Sequence, residues 1–106
     1  MIGKIDKQGL EEALRTNGKP IVVDFITDWC PYCKQLAPVL EEIAGEYIND
    51  IEVYTVNIEE HPDIAERYDV MTVPSVFIFR NGEIKGKAVN PWPKEALIQF
   101  IFQGGS

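Results

Sequence analysis

A chain of 106 residues favours a single domain, and 45% hydrophobic with 25% charged residues is typical of a soluble globular protein. Its formal net charge of −7 repels phosphate backbones, which argues against a nucleic-acid partner. Residues 1–6 lack the apolar core of a signal peptide and no apolar run reaches the roughly 18 residues of a membrane span, so we expect a cytoplasmic protein with no membrane partner.

The first half of the chain predicts alternating helices and strands. Apolar residues at helical spacing over residues 10–14, followed by the stop signal Asn17-Gly18, indicate a first helix. Ile21–Ile26 is short, rich in β-branched residues and apolar on both faces, which is typical of a central strand in a covered sheet. Residues 36–47 carry an apolar stripe of helical period, and residues 51–58 indicate a second strand. We therefore expect a βαβ crossover with these two strands parallel.

The second half predicts a short helix, a hairpin and a last helix. The short helix lies around residues 63–68, and residues 76–79 form a third strand. Asn81-Gly82 is a strong signal for a two-residue hairpin, which leads into a strand near residues 84–89. Pro93 begins the last helix. The hairpin makes this half of the sheet antiparallel.

Together these elements predict an α/β fold with a mixed sheet and helices on both faces. The chain contains no repeats, no low-complexity tract and no linker. We therefore expect one domain over residues 1–103 and a flexible C-terminal tail over residues 104–106.

The chain has two cysteines, Cys30 and Cys33, between the central strand and the helix that follows it. As a structural cross-link they would stabilise little, because they close a very short loop and the gain grows with loop length. A closed zinc site needs four ligands, and the chain adds only one histidine, His61, which is expected to cap a helix or face water. We expect no metal and no cofactor beyond a redox-active disulfide; a cluster shared between two chains stays open.

Redox chemistry fits this pair best. Free N–H groups and the dipole at a helix start favour an anion, and the thiolate is the nucleophile of disulfide exchange. Cys30 lies at the helix start, so we expect it to be exposed and anionic. Cys33 lies one turn further, so we expect it to be more buried and protonated. In this scheme Cys30 attacks a substrate disulfide and Cys33 then displaces the reduced substrate.

Six motifs spread over nearly the whole chain agree in identity and spacing with one family. They are Val23-Asp24-Phe25, Trp29-Cys30-x-x-Cys33-Lys34, Ala37-Pro38-x-Leu40-Glu41, Val56-Asn57-Ile58, Val73-Pro74-Ser75 and Phe79-x-Asn81-Gly82-Glu83. The chain thereby resembles the thioredoxin family. The resemblance implies the thioredoxin fold, with a mixed four- or five-stranded sheet, and a dithiol–disulfide oxidoreductase. Because the N-terminal segment is short, the first edge strand is expected to be truncated or missing.

The resemblance also assigns roles to individual residues. Cys30 matches the attacking cysteine, Cys33 the resolving cysteine, and Asp24 a buried acid behind them. Burial raises the pKa of a carboxyl group, which would suit Asp24 to accept the proton of Cys33. From the residues alone, an exposed position at a strand edge is equally open. Pro74 matches a proline after a cis peptide bond, and Val73 would offer its backbone to an extended substrate. The implied substrate-binding residues are Trp29, Pro31, Tyr32, Val73, Pro74, Asn90 and Pro91.

Several positions differ from the usual family pattern. Pro31-Tyr32 stands where thioredoxins usually carry Gly-Pro, and Cys-Pro-Tyr-Cys is typical of glutaredoxins, so we expect a less reducing couple than in an ordinary thioredoxin. Thr55 replaces a lysine that many thioredoxins place near the buried acid, so we expect the pKa of Asp24 to be higher still. Asn90-Pro91-Trp92-Pro93 replaces a glycine-containing loop. Either this loop narrows the choice of partners, or Trp92 packs against the core.

The partners implied by the resemblance are protein disulfides as substrates and thioredoxin reductase as electron donor, acting on a monomer. A glutathione-dependent activity of glutaredoxin type stays open, because Cys-Pro-Tyr-Cys and Thr72-Val73-Pro74 favour it. Two features argue against this activity. The chain is acidic, and Asn81-Gly82-Glu83 occupies the region after the third strand where glutaredoxins bind glutathione with a Gly-Gly motif. A non-catalytic binding module of the same fold also stays open.

Overall fold

The computed structural model describes residues 2–15 and 18–103. Two sequence-based predictions, the Asn17 half of the helix stop signal and the tail at residues 104–106, lie outside the described residues. The described elements in chain order are β1 (Gly3–Lys4), α1 (Lys7–Arg15), β2 (Ile21–Ile26), α2 (Pro31–Glu46), β3 (Glu52–Asn57), α3 (Pro62–Arg67), β4 (Ser75–Arg80), β5 (Glu83–Val89) and α4 (Lys94–Gln103).

The strands in the described part of the chain form one sheet in the order β1-β3-β2-β4-β5. β1 and β2 each pair with β3 in parallel, whereas β4 pairs antiparallel with β2 and with β5. The predicted βαβ crossover and antiparallel hairpin are therefore confirmed, and the result is the mixed α/β sheet of a thioredoxin fold. β1 contains only two residues, as expected for a truncated edge strand.

Buried apolar side chains cover both faces of the sheet, and their placement orients the central strand. The group on the face of Val22 includes residues of α2 and α4, and the group on the face of Val23 and Phe25 includes residues of α1 and α3. Because side chains alternate along a strand, Asp24 shares the face of Val22. It therefore faces the side of the sheet that is covered by α2, the helix that carries Cys33.

The turn between β4 and β5 has the geometry that its sequence predicts. Asn81 and Gly82 both adopt positive φ, 53° and 81°, as a two-residue type I′ turn requires. A side chain on Gly82 would also lie 3.3 Å from the backbone oxygen of Leu14. Conformation and space therefore both favour glycine at this position.

Candidate active site

The cysteine pair lies where β2 gives way to α2. Pro31 is the first residue of α2, where its missing N–H removes no helical hydrogen bond, and Cys30 is the N-cap with φ −81° and ψ 114°. The N–H of Cys33 donates a hydrogen bond to Sγ of Cys30 at 3.1 Å. This is the usual arrangement of a helix N-cap, made here by sulfur in place of oxygen. The helix therefore directs a free amide at the sulfur that the sequence marks as the nucleophile.

The prediction that Cys30 is exposed was wrong. Its exposed fraction is 4%, the same as that of Cys33. The side chain is covered because Val73, 43 residues later, brings its carbonyl oxygen to 3.8 Å from Sγ of Cys30, and the thiol donates to it. Little of the Cys30 side chain is therefore exposed to an approaching substrate.

Cys33 is buried to the same extent as Cys30, so the prediction that it is the more buried of the two was wrong, whereas its predicted protonation agrees with its raised pKa. Burial is the main cause that raises the pKa of its thiol to about 12. A hydrogen bond with the Cys30 side chain adds to this rise, and a hydrogen bond with the backbone of Thr27 opposes it. The thiol of Cys33 thus keeps its proton at neutral pH, and it needs a base before it can act as a nucleophile.

Asp24 is buried inside the sheet, with an exposed fraction of 1%. The alternative of an exposed strand edge was wrong, because β2 is central and Asp24 lies between Thr55 of β3 and Val76 of β4. Burial raises the pKa of the Asp24 carboxyl group to about 8. Its Oδ1 atom is buried and accepts no hydrogen bond from the described residues. A carboxyl group of this pKa can exchange a proton near neutral pH, which an ordinary aspartate cannot do.

A cavity of about 230 Å³ is lined by both Asp24 and Cys33. Thr55, the residue at the position of the family lysine, also lines it. Two charged side chains complete its wall, Lys4 of β1 and Glu41 of α2, and both are exposed. Sequence reasoning did not assign Lys4 to the site, because only the pairing of β1 with β3 brings it close to Asp24.

Exposed apolar side chains follow the motif on both sides of Cys30. Trp29 is 67% exposed, and its Nε1–H donates to Oε1 of Glu59 at 3.1 Å. Pro31 and Tyr32 are exposed as well. Met71, which the sequence analysis did not single out, is 86% exposed in the loop that leads to Val73. These side chains are available for contact with a partner, which fits a docking role better than core packing.

The loop before β4 and the loop after β5 meet beside this helix start. The Val73–Pro74 peptide bond is cis, as the resemblance implied, and the N–H of Asn90 donates to the Pro74 oxygen at 2.8 Å. Pro91 is half-buried. Trp92 is half-exposed and belongs to neither core group, so the alternative that it packs against the core was wrong. The Trp92–Pro93 bond is also cis, which no sequence signal predicted.

Asn57, at the end of β3, fixes the loop that carries Trp29. Its side-chain Nδ2 donates to Oδ1 of Asp28 at 3.1 Å. Its Oδ1 accepts the N–H groups of Glu59 at 2.9 Å and Glu60 at 3.3 Å. Asn57 belongs to the motif Val56-Asn57-Ile58, but no role in the site was predicted for it. An amide residue at the end of a predicted strand was the available signal.

The residues that the structure describes, 2–15 and 18–103, include one histidine and two cysteines. No group of three or more His, Cys, Asp or Glu side chains in that part of the chain could hold a metal ion. His61 precedes α3 and makes no capping hydrogen bond with its side chain. Over the same residues, none of the helices combines the length and the apolar character of a membrane span.

Comparison with known proteins agrees with this fold. The thioredoxin family model matches residues 2–103. A thioredoxin of Rickettsia bellii is 34% identical over 101 residues, which cover 95% of this chain and 96% of that protein. A thioredoxin of Staphylococcus haemolyticus is 35% identical over 100 residues, with 94% of each chain covered. A chloroplastic M-type thioredoxin of Spinacia oleracea is 43% identical over 82 residues, which cover 77% of this chain and 45% of that protein. The chain therefore belongs to the thioredoxin family of dithiol–disulfide oxidoreductases, with Cys30 and Cys33 as its redox-active pair.

Proposed function

We propose that the protein reduces disulfide bonds of other proteins, with Cys30 as the attacking cysteine, Cys33 as the resolving cysteine and Asp24 as the proton acceptor. The observation that carries this assignment is the 3.1 Å hydrogen bond from the N–H of Cys33 to Sγ of Cys30. This bond places a backbone donor beside the sulfur that carries the negative charge when Cys30 attacks. The same contact holds the resolving residue one turn away from the nucleophile.

The reaction follows in two displacement steps. The thiolate of Cys30 attacks one sulfur of the substrate disulfide, the substrate S–S bond breaks, and the leaving sulfur takes up a proton. Cys33 then transfers its proton to Asp24 and attacks Sγ of Cys30, which breaks the mixed disulfide and releases the second substrate sulfur as a thiolate that takes up a proton from solvent. The substrate gains two electrons and two protons, and the protein ends with a Cys30–Cys33 disulfide.

A substrate would bind as an extended segment across the apolar surface around Cys30. The Val73 backbone, beside Cys30 Sγ, supports contact with such a segment through main-chain hydrogen bonds. Exposed Trp29, Pro31 and Tyr32 on one side, with Asn90-Pro91 on the other, would supply the side-chain contacts. This docking mode requires that no second copy of the chain covers the apolar surface around Cys30, which supports a protein that acts as a monomer.

Each reaction cycle has to be closed by an electron donor that reduces the Cys30–Cys33 disulfide. The family membership supports a thioredoxin reductase in this role, and a cytoplasm is the compartment in which thiols are kept reduced. A glutathione-dependent reaction is the second candidate, favoured by Cys-Pro-Tyr-Cys between β2 and α2. The net charge of −7 opposes it, because glutathione is itself an anion.

A trapping experiment tests the assignment of the two cysteines. The Cys33→Ser variant should accumulate a mixed disulfide with a substrate protein through Cys30, because the second displacement is blocked. The Cys30→Ser variant should form no such adduct and should have no activity, since the nucleophile is missing. Adducts are separated by non-reducing electrophoresis and located by peptide mass spectrometry. An adduct on Cys33 of the Cys30→Ser variant, with disulfide reduction intact, would contradict the assignment.

Electron supply is tested on the unmodified protein with NADPH consumption as the readout. We expect turnover of a protein disulfide with thioredoxin reductase and much slower turnover with glutathione and glutathione reductase. Faster turnover with glutathione would assign the protein to the second candidate.

A further inference from the structure

The cavity that Asp24 and Cys33 line extends to Lys4 at the edge of the sheet. Across three neighbouring strands, Lys4 pairs with Thr55, and Thr55 pairs with Asp24. Residues in register across a sheet project to the same face, and neighbouring strands are about 4.8 Å apart, so the backbones of Lys4 and Asp24 are separated by about 10 Å. The long side chain of Lys4 can cover much of this distance, and Lys4 lines the cavity that Asp24 and Cys33 share.

The charges around this cavity have opposite signs. Lys4 contributes a cation from β1, and Glu41 contributes an anion from α2. The Glu41 side chain is held near the strand edge, where its Oε1 accepts the N–H of Ile2 at 3.4 Å. Apart from Lys4, Glu41 and Asp24, the only titratable residue among the described residues that line the cavity is Cys33. Asp24 pairs with Thr55 of β3 and with Val76 of β4, and both of these residues are uncharged.

We propose that Lys4 is a positioning residue that, opposed by Glu41, sets how readily Asp24 takes the proton of Cys33. This inference rests on the proposed function, because it assumes that Asp24 accepts that proton. A cation near the cavity favours the ionised carboxylate, which is the form that can accept, and an anion disfavours it. The proton passes from Sγ of Cys33 to the Asp24 carboxylate while the Cys33 sulfur forms its bond to Sγ of Cys30. The neighbouring charges thus control the pH at which the resolving step becomes fast.

Changing either charge should therefore move the resolving step along the pH axis, in opposite directions. Lys4→Gln removes the cation, so Asp24 stays protonated to higher pH and the midpoint of the rate profile rises. Glu41→Gln removes the anion and keeps an oxygen acceptor for the Ile2 N–H, so the midpoint falls. For single charges at a solvated rim we expect shifts of about half a pH unit, or about a threefold change in rate where Asp24 titrates.

The test uses a mixed disulfide that needs no partner protein. Reaction of the reduced protein with 5,5′-dithiobis(2-nitrobenzoate) places 5-thio-2-nitrobenzoate on Cys30 and releases one equivalent of the coloured thiolate. Attack by Cys33 then releases the second equivalent, and the rate of this release is measured from pH 5 to pH 10. In parallel, the carboxyl carbon of Asp24 is titrated by NMR in each variant, which reports the acid directly.

The control is Lys19→Gln, which removes the same charge from an exposed lysine near the start of β2, about 16 Å along the strand from Asp24. The proposal holds if Lys4→Gln raises the midpoint, Glu41→Gln lowers it, Lys4→Arg restores the wild-type profile, and Lys19→Gln has no effect. It is overturned if Lys4→Gln leaves the Asp24 titration unchanged, or if Lys19→Gln shifts it as much. Failure of the proposed function would appear separately, as a missing adduct in the Cys33→Ser trap.

Discussion

Asp24, the proposed proton acceptor of the site, has its pKa raised towards neutral pH by burial, and the same burial acts against folding. A charged carboxylate without hydrogen-bond donors is costly in a protein interior, so the folded chain holds the proton up to a pKa of about 8. The same group in an unfolded chain has a pKa of 3.8. The difference between these two values links the chemistry of the site to the stability of the fold.

Asp24→Asn is expected to remove a pH dependence of stability between about pH 4 and pH 8. Over this window the unfolded chain loses the Asp24 proton while the folded chain keeps it, so the stability of the wild type falls as pH rises and levels off above pH 8. The contribution to the free energy of unfolding is at most about 6 kcal/mol. Asparagine does not titrate, so the variant should be about as stable as the wild type below pH 4 and more stable above pH 8. Urea unfolding at several pH values measures this difference.

The matched control for this measurement is Asp50→Asn, because Asp50 is exposed. The difference in free energy of unfolding between Asp50→Asn and the wild type should not show the pH dependence that we expect for Asp24→Asn. A constant difference between Asp24→Asn and the wild type across pH 4 to pH 8 would show that the folded chain does not hold the proton.

At the scale of single residues, what the sequence could predict depended on the range of the contacts. Burial of Cys33 followed from its position one turn into an amphipathic helix, which is local information. Exposure of Cys30 was predicted from the same helix and was wrong, because the atom that covers its sulfur belongs to Val73, 43 residues away. Burial of Asp24 needed the family resemblance, since an aspartate in an apolar strand fits a central position and an edge equally well.

At the scale of elements, the start of α2 combines a structural and a chemical role in one sulfur. The Cys30 side chain accepts the N–H of Cys33, which would otherwise lack a helical partner. This contact stabilises the first turn, and it also presents the amide to the nucleophile. The stability of the helix and the reactivity of the site are therefore linked through the same hydrogen bond.

We expect Cys30→Ala to be about 1 kcal/mol less stable than Cys30→Ser. Serine can still accept the Cys33 N–H and cap α2, whereas alanine leaves that donor unpaired in a buried position. Both variants lack the Cys30 nucleophile, so thiol chemistry does not affect the comparison. Urea unfolding under reducing conditions measures the difference in free energy of unfolding between them. Equal stability of the two variants would mean that the contact with Sγ contributes nothing to the helix.

The elements that the sequence predicted well are those with local signals. Asn81-Gly82 specified its turn through backbone preference alone, and the apolar run Ile21–Ile26 specified a central strand. The cavity wall was not predictable in the same way. Lys4 joins it through the pairing of a two-residue edge strand, and so short a strand carries no periodic pattern.

At the scale of the whole molecule, the site is assembled from separate loops that one sheet holds together. Two contacts bring these segments together. Val73 contacts Cys30 at the helix start, and Asn90, in the loop after β5, donates to the neighbouring Pro74. Core groups on both faces of the sheet support the strands from which these loops leave. The reduction potential is a property of this whole assembly, because it measures the free energy between two states of the complete protein.

We expect the Cys30–Cys33 couple to be less reducing than that of an ordinary thioredoxin. The residues between the cysteines, Pro31-Tyr32, are of glutaredoxin type, and they determine which backbone amides reach the Cys30 sulfur. Thioredoxin has a potential of about −270 mV and glutaredoxins lie at about −200 to −230 mV, so we expect a value between these limits. Equilibration with glutathione buffers of defined ratio, followed by separation of the reduced and oxidised forms, measures it.

A matched pair of variants shows whether the two intervening residues cause the difference. The double variant Pro31→Gly with Tyr32→Pro restores the order usual in thioredoxins and should lower the potential towards about −270 mV. A fall of 30 mV corresponds to about 1.4 kcal/mol in favour of the disulfide, which the buffer titration resolves readily. Tyr32→Phe keeps a proline followed by an aromatic ring and should leave the potential where it was. A wild-type reduction potential at or below about −270 mV would contradict this prediction. The potential would then be set by the surrounding fold, which this chain shares with its relatives, and not by Pro31 and Tyr32.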